Sequence, residues 1–374
     1  MSRMPRPLSL PKRTAEHLQA AEASLAGANA LVGFDGFVDT ILHVVKQRDS
    51  ATKFTRISEM REFGSKIASA AGLSANFEFV TQMVKLGGNG PIMAHALGSF
   101  GLPITYVGTL GAPNLHPVFA EFAQHAVVHS IAEPGYTDAI EFDDGKLMCG
   151  KHESLKEVNW ANLTAHLPES ELARVFGTAK LIALVNWTML PHMTSIWQKL
   201  LTRIAPTLRG ERRWLFIDLA DPAKRTREDL AGALKLVSKF ERFFRVVLGM
   251  NLNESRQVGA VLGLTPPEET YGTVTHHSAR IREALKIDTV VIHPTHFAAA
   301  SDATGSTHVI GPFTAKPKIT TGAGDHFNAG FCVGRMIGLD LAGSLQLGVT
   351  TSGFYVQNAR SPTLAETARF LRAL

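Results

Sequence analysis

A short glycine-rich segment near the end of the chain, residues 320–325, carries the residue types best suited to chemistry. Its sequence is TTGAGD, so Gly322, Ala323 and Gly324 precede a carboxylate at Asp325. Glycines at a helix entrance let backbone N–H groups converge on one point, and the helix dipole adds to the attraction for an anion. A bound phosphate repels a neighbouring carboxylate, so Asp325 makes chemical sense as a base that takes a proton from an attacking hydroxyl. The segment therefore predicts a phosphoryl-transfer site.

Two further polar clusters lie in the first quarter of the chain. The sequence GGNGP at residues 87–91 precedes an apolar helical pattern; Gly88 permits close approach of a ligand, and Asn89 offers a donor and an acceptor to a polyol. Asp35 and Asp39 follow the first strand-like run, and either of these carboxylates is suited to bind sugar hydroxyls. The alternatives are a simple turn for Asn89 and exposed loop charges for Asp35 and Asp39.

A fourth cluster consists of Asn251 and Glu254, which follow strand-like residues 245–248. The N-x-x-E spacing places an amide and a carboxylate where a strand meets a helix, which suits phosphate and the water shell of Mg²⁺. The alternative for Glu254 is a carboxylate that only pairs with the helix dipole, and the alternative for Asp325 is a helix cap. The fifteen histidines show no metal-ligand spacing.

Composition excludes several classes of protein. The 374 residues are 45% hydrophobic and 19% charged, which allows a sizeable core and argues against disorder. The net charge of +5 suits an anionic small ligand. The sequence contains no Lys/Arg run interleaved with aromatic residues, so nucleic acid is not an expected partner. No apolar run is long enough to cross a bilayer, and residues 1–13 lack the apolar core of a signal peptide, so we expect a cytoplasmic protein without a membrane partner.

Short apolar runs alternate with helical patterns along the chain. The runs predict strands at residues 30–34, 104–108, 181–185, 214–219, 245–248 and 289–292. This alternation predicts an α/β fold in which helices cover both faces of a mainly parallel sheet and ligands bind at the carboxyl ends of the strands. A predicted hairpin over residues 135–150 and an irregular stretch over residues 40–85 break the alternation and would form a small flap.

Taken in this order, the four clusters resemble those of the ribokinase-like carbohydrate kinases of the phosphofructokinase-B type. The resemblance covers nearly the whole chain and depends most on Asn89 with its glycines and on residues 320–325. It implies a three-layer α/β/α fold with a mainly parallel sheet and a small β lid. The implied organisation is an N-terminal extension at 1–27, a kinase domain at 28–374 and a lid from parts of 36–86 and 135–153.

The resemblance also implies a role for each residue of the four clusters. Catalytic roles would fall to Gly322, Ala323, Gly324 and the base, Asp325. Substrate contacts would fall to Asp35, Asp39, Gly88 and Asn89. Contacts with ATP would fall to Asn251, Glu254, Thr321 and His293, and the contact with Mg²⁺ to Glu254. The sequence departs from the family at Ile319, where members usually carry an acidic residue that helps to hold a monovalent cation.

The sequence therefore predicts an ATP- and Mg²⁺-dependent kinase that phosphorylates a hydroxyl of a small sugar or related polyol, with a homodimer formed through the lid. The alternatives are a nucleoside kinase of the same fold, an ADP-dependent sugar kinase, and a sugar-binding module that has lost catalysis. The intact residues 322–325 argue against the binding module. No G-x-G-x-x-G follows the first strand, which argues against a dinucleotide-dependent oxidoreductase.

Overall fold

The computed structural model describes residues 8–374, and within that range fourteen β-strands form two sheets. In chain order the strands are β1 (Ala30–Phe34), β2 (Phe37–Arg48), β3 (Phe54–Arg56), β4 (Phe79–Gly87), β5 (Ile104–Gly108), β6 (Ala126–Ser130), β7 (Gly135–Phe142), β8 (Gly145–Lys151), β9 (Leu181–Leu184), β10 (Trp214–Asp218), β11 (Arg245–Met250), β12 (Thr289–Ile292), β13 (Phe297–Asp302) and β14 (Gly305–Ile310). The α-helices of the same range are α1 (Leu10–Ala20), α2 (Glu22–Ala26), α3 (Met60–Ser69), α4 (Asn89–Ser99), α5 (Ala120–Ala123), α6 (Trp160–His166), α7 (Glu169–Thr178), α8 (Met193–Lys199), α9 (Arg227–Phe240), α10 (Leu252–Val261), α11 (Tyr271–Leu285), α12 (Ala323–Met336), α13 (Leu341–Asn358) and α14 (Leu364–Ala373).

Nine strands form the main sheet in the order β14-β13-β12-β11-β10-β9-β1-β5-β6. Neighbours run parallel from β12 to β6, while β13 and β14 add an antiparallel hairpin at one edge. Strands β1, β9, β10 and β12 are buried along their whole length, which is why the sequence shows them as continuous apolar runs. All six strands predicted from the sequence are present. Strand β6 and the β13–β14 hairpin lie outside that prediction. Strand β6 is mostly half-buried and β14 is mostly exposed, so neither edge strand forms a continuous apolar run, whereas β13 is fully buried and is simply not among the predicted strands.

Two hydrophobic clusters cover the two faces of the main sheet. One contains side chains of α7, α8, α9, α10 and α11, among them Leu172, Trp197 and Ile281. The other contains side chains of α1, α4, α12, α13 and α14, among them Leu97 and Phe331. A sheet between two helical layers confirms the predicted three-layer α/β/α architecture.

The other five strands form a smaller sheet, here called the lid sheet, in the order β3-β2-β7-β8 with β4 also paired to β2. Strand β2 begins soon after β1 ends, so the chain passes directly from the main sheet into the lid sheet. The predicted hairpin is formed by β7 and β8. The prediction of an irregular stretch over residues 40–85 is wrong, because β2, β3, α3 and β4 occupy much of it. Most residues of β4 are exposed, so no buried alternation reveals the strand.

Helix α1 precedes the first strand and packs against α13 and α14. It buries Thr14, Ala15 and Leu18. Residues 1–7 of the predicted N-terminal extension lie outside the described residues, and the boundary at residue 27 stays a prediction.

The carboxyl ends of β1, β9, β10 and β11 meet at one edge of the main sheet, and the lid sheet grows from the same edge. In open parallel sheets this edge is where ligands bind. No helix within residues 8–374 is long and apolar enough to span a membrane.

Candidate active site

The TTGAGD loop, residues 320–325, leads into helix α12. Gly322 is the N-cap of α12 and has a φ of 90°, a left-handed conformation that favours glycine. A Cβ atom at this position would lie 3.1 Å from Ile92 Cγ2 and 3.1 Å from Tyr355 Oη. Tyr355 Oη donates a hydrogen bond to the Thr321 carbonyl at 2.8 Å. Helices α4 and α13 therefore hold the loop in one conformation.

The start of α12 presents backbone N–H groups without acceptors. The amides of Gly322 and Gly324 donate to no residue in the described range, whereas the Ala323 amide donates to the Thr320 carbonyl at 3.1 Å. First-turn amides have no partner within their helix, and together with the helix dipole they attract an anion. The amides of the two glycines are therefore free to bind an anion, whereas the Ala323 amide is used within the loop.

Asp325 lies in the first turn of α12 and is 7% exposed. Asn89 Nδ2 donates a hydrogen bond to Asp325 Oδ1 at 3.0 Å. Burial raises the pKa of Asp325 from 3.8 to about 8; the Asn89 hydrogen bond opposes this rise, and the charges of Asp35 and Glu254 add to it. A pKa close to neutral pH is suited to a general base.

Asp35 lies beneath Asn89 and is fully buried. Its carboxylate accepts hydrogen bonds from the Asn89 amide at 3.0 Å, the Gly90 amide at 2.8 Å and Asn186 Nδ2 at 2.7 Å. A Cβ atom on Gly90 would lie 2.6 Å from Asp35 Oδ1, so this approach requires a glycine. Burial raises the pKa of Asp35 to about 6 in spite of these hydrogen bonds. Asp35 fixes the start of α4 and does not line the cavity beside Asp325.

A cavity of about 400 Å³, here called the acidic cavity, opens beside Asp325. Its carboxylates are Asp39, Asp221, Glu254 and Asp325. Gly88, Asn89, Thr321 and Gly322 also line it. Asp39 enters from strand β2 of the lid sheet and is 5% exposed; burial raises its pKa, and the charges of Lys85 and Lys146 oppose the rise. Of the two aspartates that follow the first strand, Asp39 is the one that reaches the cavity.

A second cavity of about 560 Å³, here called the apolar cavity, lies on the other side of the TTGAGD loop. Ala323 and Gly324 line it, together with Asn251 and His293. Apolar side chains form much of its wall: Pro294, Phe297, Phe313, Phe327, Val349 and Val356. The loop therefore separates two cavities of different chemical character, with the buried carboxylate on the acidic side.

Asn251 and Glu254 form a reciprocal capping box at the start of α10. Asn251 Oδ1 accepts from the Glu254 amide at 2.9 Å, and Glu254 Oε2 accepts from the Asn251 amide at 2.8 Å. Glu254 Oε1 accepts a further hydrogen bond from the Asp221 amide at 2.9 Å. The helix-start alternative is thus a real structural role of Glu254. The capping box also positions the two residues, so that Asn251 lines the apolar cavity and Glu254 lines the acidic cavity.

His293 follows strand β12 and lies beside the loop. Its ring centroid is 4.8 Å from that of Phe327, and a Cβ atom on Gly324 would lie 3.3 Å from its Cε1. Burial lowers the pKa of His293 to about 4, so the ring is neutral near pH 7. The structure brings it to the apolar cavity as a neutral polar group.

Several residues of the site lie outside the sequence prediction: Lys146, Asn186, Asp218, Asp221 and Asn328. Asn328 Nδ2 donates to Asp218 Oδ2 at 3.0 Å, and burial with the charges of Glu254 and Asp325 raises the pKa of Asp218 well above its usual value. Lys146 Nζ donates to Thr321 Oγ1 at 3.2 Å, which joins the lid sheet to the loop. Asp218 is the last residue of β10, and Asp221 follows that strand shortly afterwards. The rule that ligands bind at the carboxyl ends of parallel strands could therefore have identified both residues.

Solved structures show which known fold this chain adopts. Ribokinase from Thermotoga maritima matches with a TM-score of 0.62 and 16% identity, over 92% of this chain and 99% of that one. Ribokinase from Arabidopsis thaliana, solved with ribose and ATP, matches with a TM-score of 0.63 and 15% identity, over 92% and 98% of the two chains. At these identities the similarity shows the fold, which is that of the ribokinase-like proteins.

Sequence similarity then gives the family. A ketohexokinase from Haloferax volcanii is 30% identical over 346 residues, which are 92% of this chain and 91% of that protein. The family model for prokaryotic ketohexokinase matches residues 12–373. The chain belongs to the prokaryotic ketohexokinase family. It is a ribokinase-like carbohydrate kinase, as the resemblance of its motifs predicts.

Proposed function

We propose that this sugar kinase transfers the γ-phosphoryl group of ATP to a hydroxyl of a ketohexose, with Mg²⁺ bound to the nucleotide. The observation that carries the proposal is the position of the TTGAGD loop, whose free amides and buried carboxylate lie between an acidic and an apolar cavity. A phosphoryl acceptor in one cavity and a donor in the other would meet at this loop. The name of the Haloferax relative, ketohexokinase, supports a ketohexose as the acceptor.

The acidic cavity is the proposed sugar site. Carboxylate and amide oxygens accept hydrogen bonds from hydroxyl groups, and Asp39 and Asn89 present such oxygens from the lid sheet and from the start of α4. Gly88, without a side chain, lets the sugar approach the backbone. Asp35 is a positioning residue in this account, because its carboxylate binds the Asn89 amide from below.

The proposed chemical step depends on Asp325. Its ionised carboxylate takes the proton of the attacking hydroxyl while the sugar oxygen forms a bond to the γ-phosphorus and the bond to the ADP oxygen breaks. The amides of Gly322 and Gly324 would hold the negative charge on the transferred group, and the dipole of α12 acts in the same direction. Closure of the lid sheet over the sugar would exclude water and limit hydrolysis of ATP.

The apolar cavity is the proposed nucleotide site. Apolar walls suit the rings of a nucleotide base, and a few polar groups then fix its orientation. Asn251 and the neutral His293 are such polar groups. Thr321 lies on the loop between the cavities, within reach of a phosphate that crosses it.

Glu254 is the proposed link to Mg²⁺. Its buried carboxylate lies near Asp218 and Asp221, and a divalent cation would relieve the repulsion among these groups. Residues 8–374 contain no group of three or more His, Cys, Asp or Glu side chains able to hold a metal by themselves. Mg²⁺ typically binds through one or two carboxylates, water and substrate phosphates, and when bound it neutralises phosphate charge.

A coupled assay of nucleotide consumption tests the proposal. Ketohexoses, aldohexoses, pentoses and nucleosides are offered with ATP or ADP as donor, each with and without Mg²⁺. We expect ADP formation that requires D-fructose or another ketohexose, ATP and Mg²⁺. If only nucleosides are phosphorylated, the protein is a nucleoside kinase and the proposal is wrong. If only ADP serves as donor, the protein is an ADP-dependent sugar kinase. Sugar binding by calorimetry without turnover would favour the catalytically silent module.

We also propose that the homodimer predicted from the sequence forms through the lid sheet. Met83 and Val84 are apolar side chains of the lid strand β4 that are 56% and 50% exposed. Exposed apolar side chains grouped on one sheet are typical of a surface that another protein covers. Light scattering of the wild type and of Met83→Lys/Val84→Lys tests this: we expect a dimer that the double substitution dissociates, and a monomeric wild type would contradict it.

A further inference from the structure

A groove with no part in the kinase site lies at the amino edge of the main sheet. It is formed around the starts of β9, β10 and β11 and the end of α12, and is here called the amino-edge groove. Its cavity volume is about 610 Å³, within the range of small-molecule sites. Helix α12 has 14 residues and runs from the TTGAGD loop to this groove, so the two sites lie about 20 Å apart.

The amino-edge groove is strongly cationic. Six basic side chains line it: Lys180, Arg209, Arg212, Arg213, Arg245 and Arg335. The acidic residue among the lining residues is Glu211. A concave surface that concentrates one sign of charge raises the local concentration of ions of the opposite sign. The groove is therefore built to attract an anion.

Half of this positive charge has no carboxylate partner within the described part of the chain. The three ion-paired arginines are Arg212 with Glu241, Arg245 with Asp288, and Arg335 with Asp302. Lys180, Arg209 and Arg213 form no ion pair within residues 8–374. Arg209 and Arg213 donate instead to backbone carbonyls, including those of Pro206 and Gly177. Their charge is available to an incoming anion.

Arg335 and Arg245 hold positive charge at fixed positions in the groove. The Arg335 side chain is only 8% exposed, and although Nη2 donates to Asp302 Oδ2 at 2.9 Å, the buried Nε has no hydrogen-bond partner among the described residues. The guanidinium carbons of Arg245 and Arg335 lie 3.9 Å and 5.1 Å from the centroid of the Trp214 ring, so two cations share the floor of the groove. Both guanidinium groups are held against the Trp214 ring, so their charge stays in a fixed place beside the groove.

We propose that the amino-edge groove binds a small organic phosphate. Guanidinium groups present their donors in a planar fork that matches phosphate oxygens, and they do so at fixed positions here. Met336 and Ile337 add apolar surface for the organic part of the ligand. The volume of the groove suits a single small molecule. A sugar phosphate and a mononucleotide share this chemistry, and the choice between them is left to the binding test.

The test compares binding of three probes to the full-length protein by calorimetry at low salt: inorganic pyrophosphate, glucose 6-phosphate and AMP. The groove variant is Lys180→Glu/Arg209→Glu; both side chains are exposed, so the fold should tolerate the changes. The matched control is Lys235→Glu/Lys239→Glu, two exposed lysines on α9 that change the net charge equally. Equal thermal midpoints of all three proteins establish that they are folded.

We expect at least one probe to bind the wild type, with its Kd raised about tenfold or more in the groove variant and about twofold or less in the control. Groove-dependent binding of glucose 6-phosphate identifies a sugar phosphate site, and groove-dependent binding of AMP identifies a nucleotide site. An equal loss of probe affinity in the groove variant and the control would mean that only the net charge of the protein matters, and it would overturn the proposal. Unchanged binding in the groove variant, or no binding of any probe to the wild type, would also overturn it. The readout is binding, so its result is independent of the kinase substrate.

Discussion

Replacing Asp325 by Asn should stabilise the folded protein while it abolishes turnover. The ionised carboxylate is buried at the end of the TTGAGD loop, near Asp35 and Glu254, and burial raises its pKa from 3.8 to about 8. The folded protein therefore holds a proton on Asp325 between these two pH values, whereas the unfolded chain releases it. By linkage the stability of the wild type falls as the pH rises from about 4 to about 8, and the variant escapes this loss.

The size of the effect follows from the pKa. A rise from 3.8 to about 8, at about 1.36 kcal/mol for each tenfold change in proton affinity, corresponds to a penalty on the order of 5 kcal/mol above pH 8. Neighbouring carboxyls that take up a proton relieve part of that penalty, so we expect the variant to gain about 2–4 kcal/mol at pH 9. Below about pH 4 the carboxyl is protonated in both states, and the gain should vanish.

Urea unfolding of the ligand-free protein at pH 5, 7 and 9 measures this difference directly. The matched control is Asp229→Asn, because Asp229 also lies in the first turn of a helix but its side chain is 52% exposed. We expect the control to change the stability by about 0.5 kcal/mol or less. A loss of stability in Asp325→Asn at pH 9, or a gain that does not grow with pH, would refute the argument that an unfavourable buried charge is held at this position.

Other predictions concern the pH profile, the sugar and the metal. Because the base must be ionised, kcat/KM should rise with pH and level off near pH 8; a profile flat from pH 6 to 9 would contradict this. Asp39→Ala should raise the Kd of D-fructose about ten- to a hundredfold and leave ATP binding nearly unchanged in calorimetry, whereas Asp138→Ala, a half-buried carboxylate on the lid strand β7, should affect neither. An equal loss of affinity for D-fructose and ATP in Asp39→Ala would indicate damage to the fold. Glu254→Gln should raise the Mg²⁺ concentration for half-maximal activity, and an unchanged titration would leave Glu254 with only its capping role.

The sequence predicts the elements of the main sheet better than it predicts the lid. Buried parallel strands such as Thr289–Ile292 are continuous apolar runs, so their positions are visible in the sequence. Strand β4, in contrast, is exposed along most of its length, and it forms only because β2 offers a partner edge. Whether such a strand forms depends on pairing with a distant segment of the chain, and the local amino-acid composition gives no sign of that pairing.

The same limit applies to the candidate site. The TTGAGD loop can be identified from local sequence because glycines, a carboxylate and a following helix are consecutive. The contact of Asn89 with Asp325 joins residues 236 positions apart, and that of Lys146 with Thr321 joins residues 175 positions apart. Neither contact leaves a local signal. The choice between Asp35 and Asp39 likewise depends on how the first strand turns into the lid sheet, which spacing alone does not decide.

Transfer of a radiolabelled γ-phosphate from ATP to D-fructose, compared between the wild type and Asp325→Asn, tests directly whether Asp325 is the base of a ketohexose kinase. Calorimetry with D-fructose establishes that the variant still binds the sugar. We expect labelled fructose phosphate from the wild type and a rate at least about a hundredfold lower from the variant, with sugar binding retained. Transfer at the wild-type rate by a folded Asp325→Asn protein, or no transfer to any ketohexose by the wild type, would contradict this assignment.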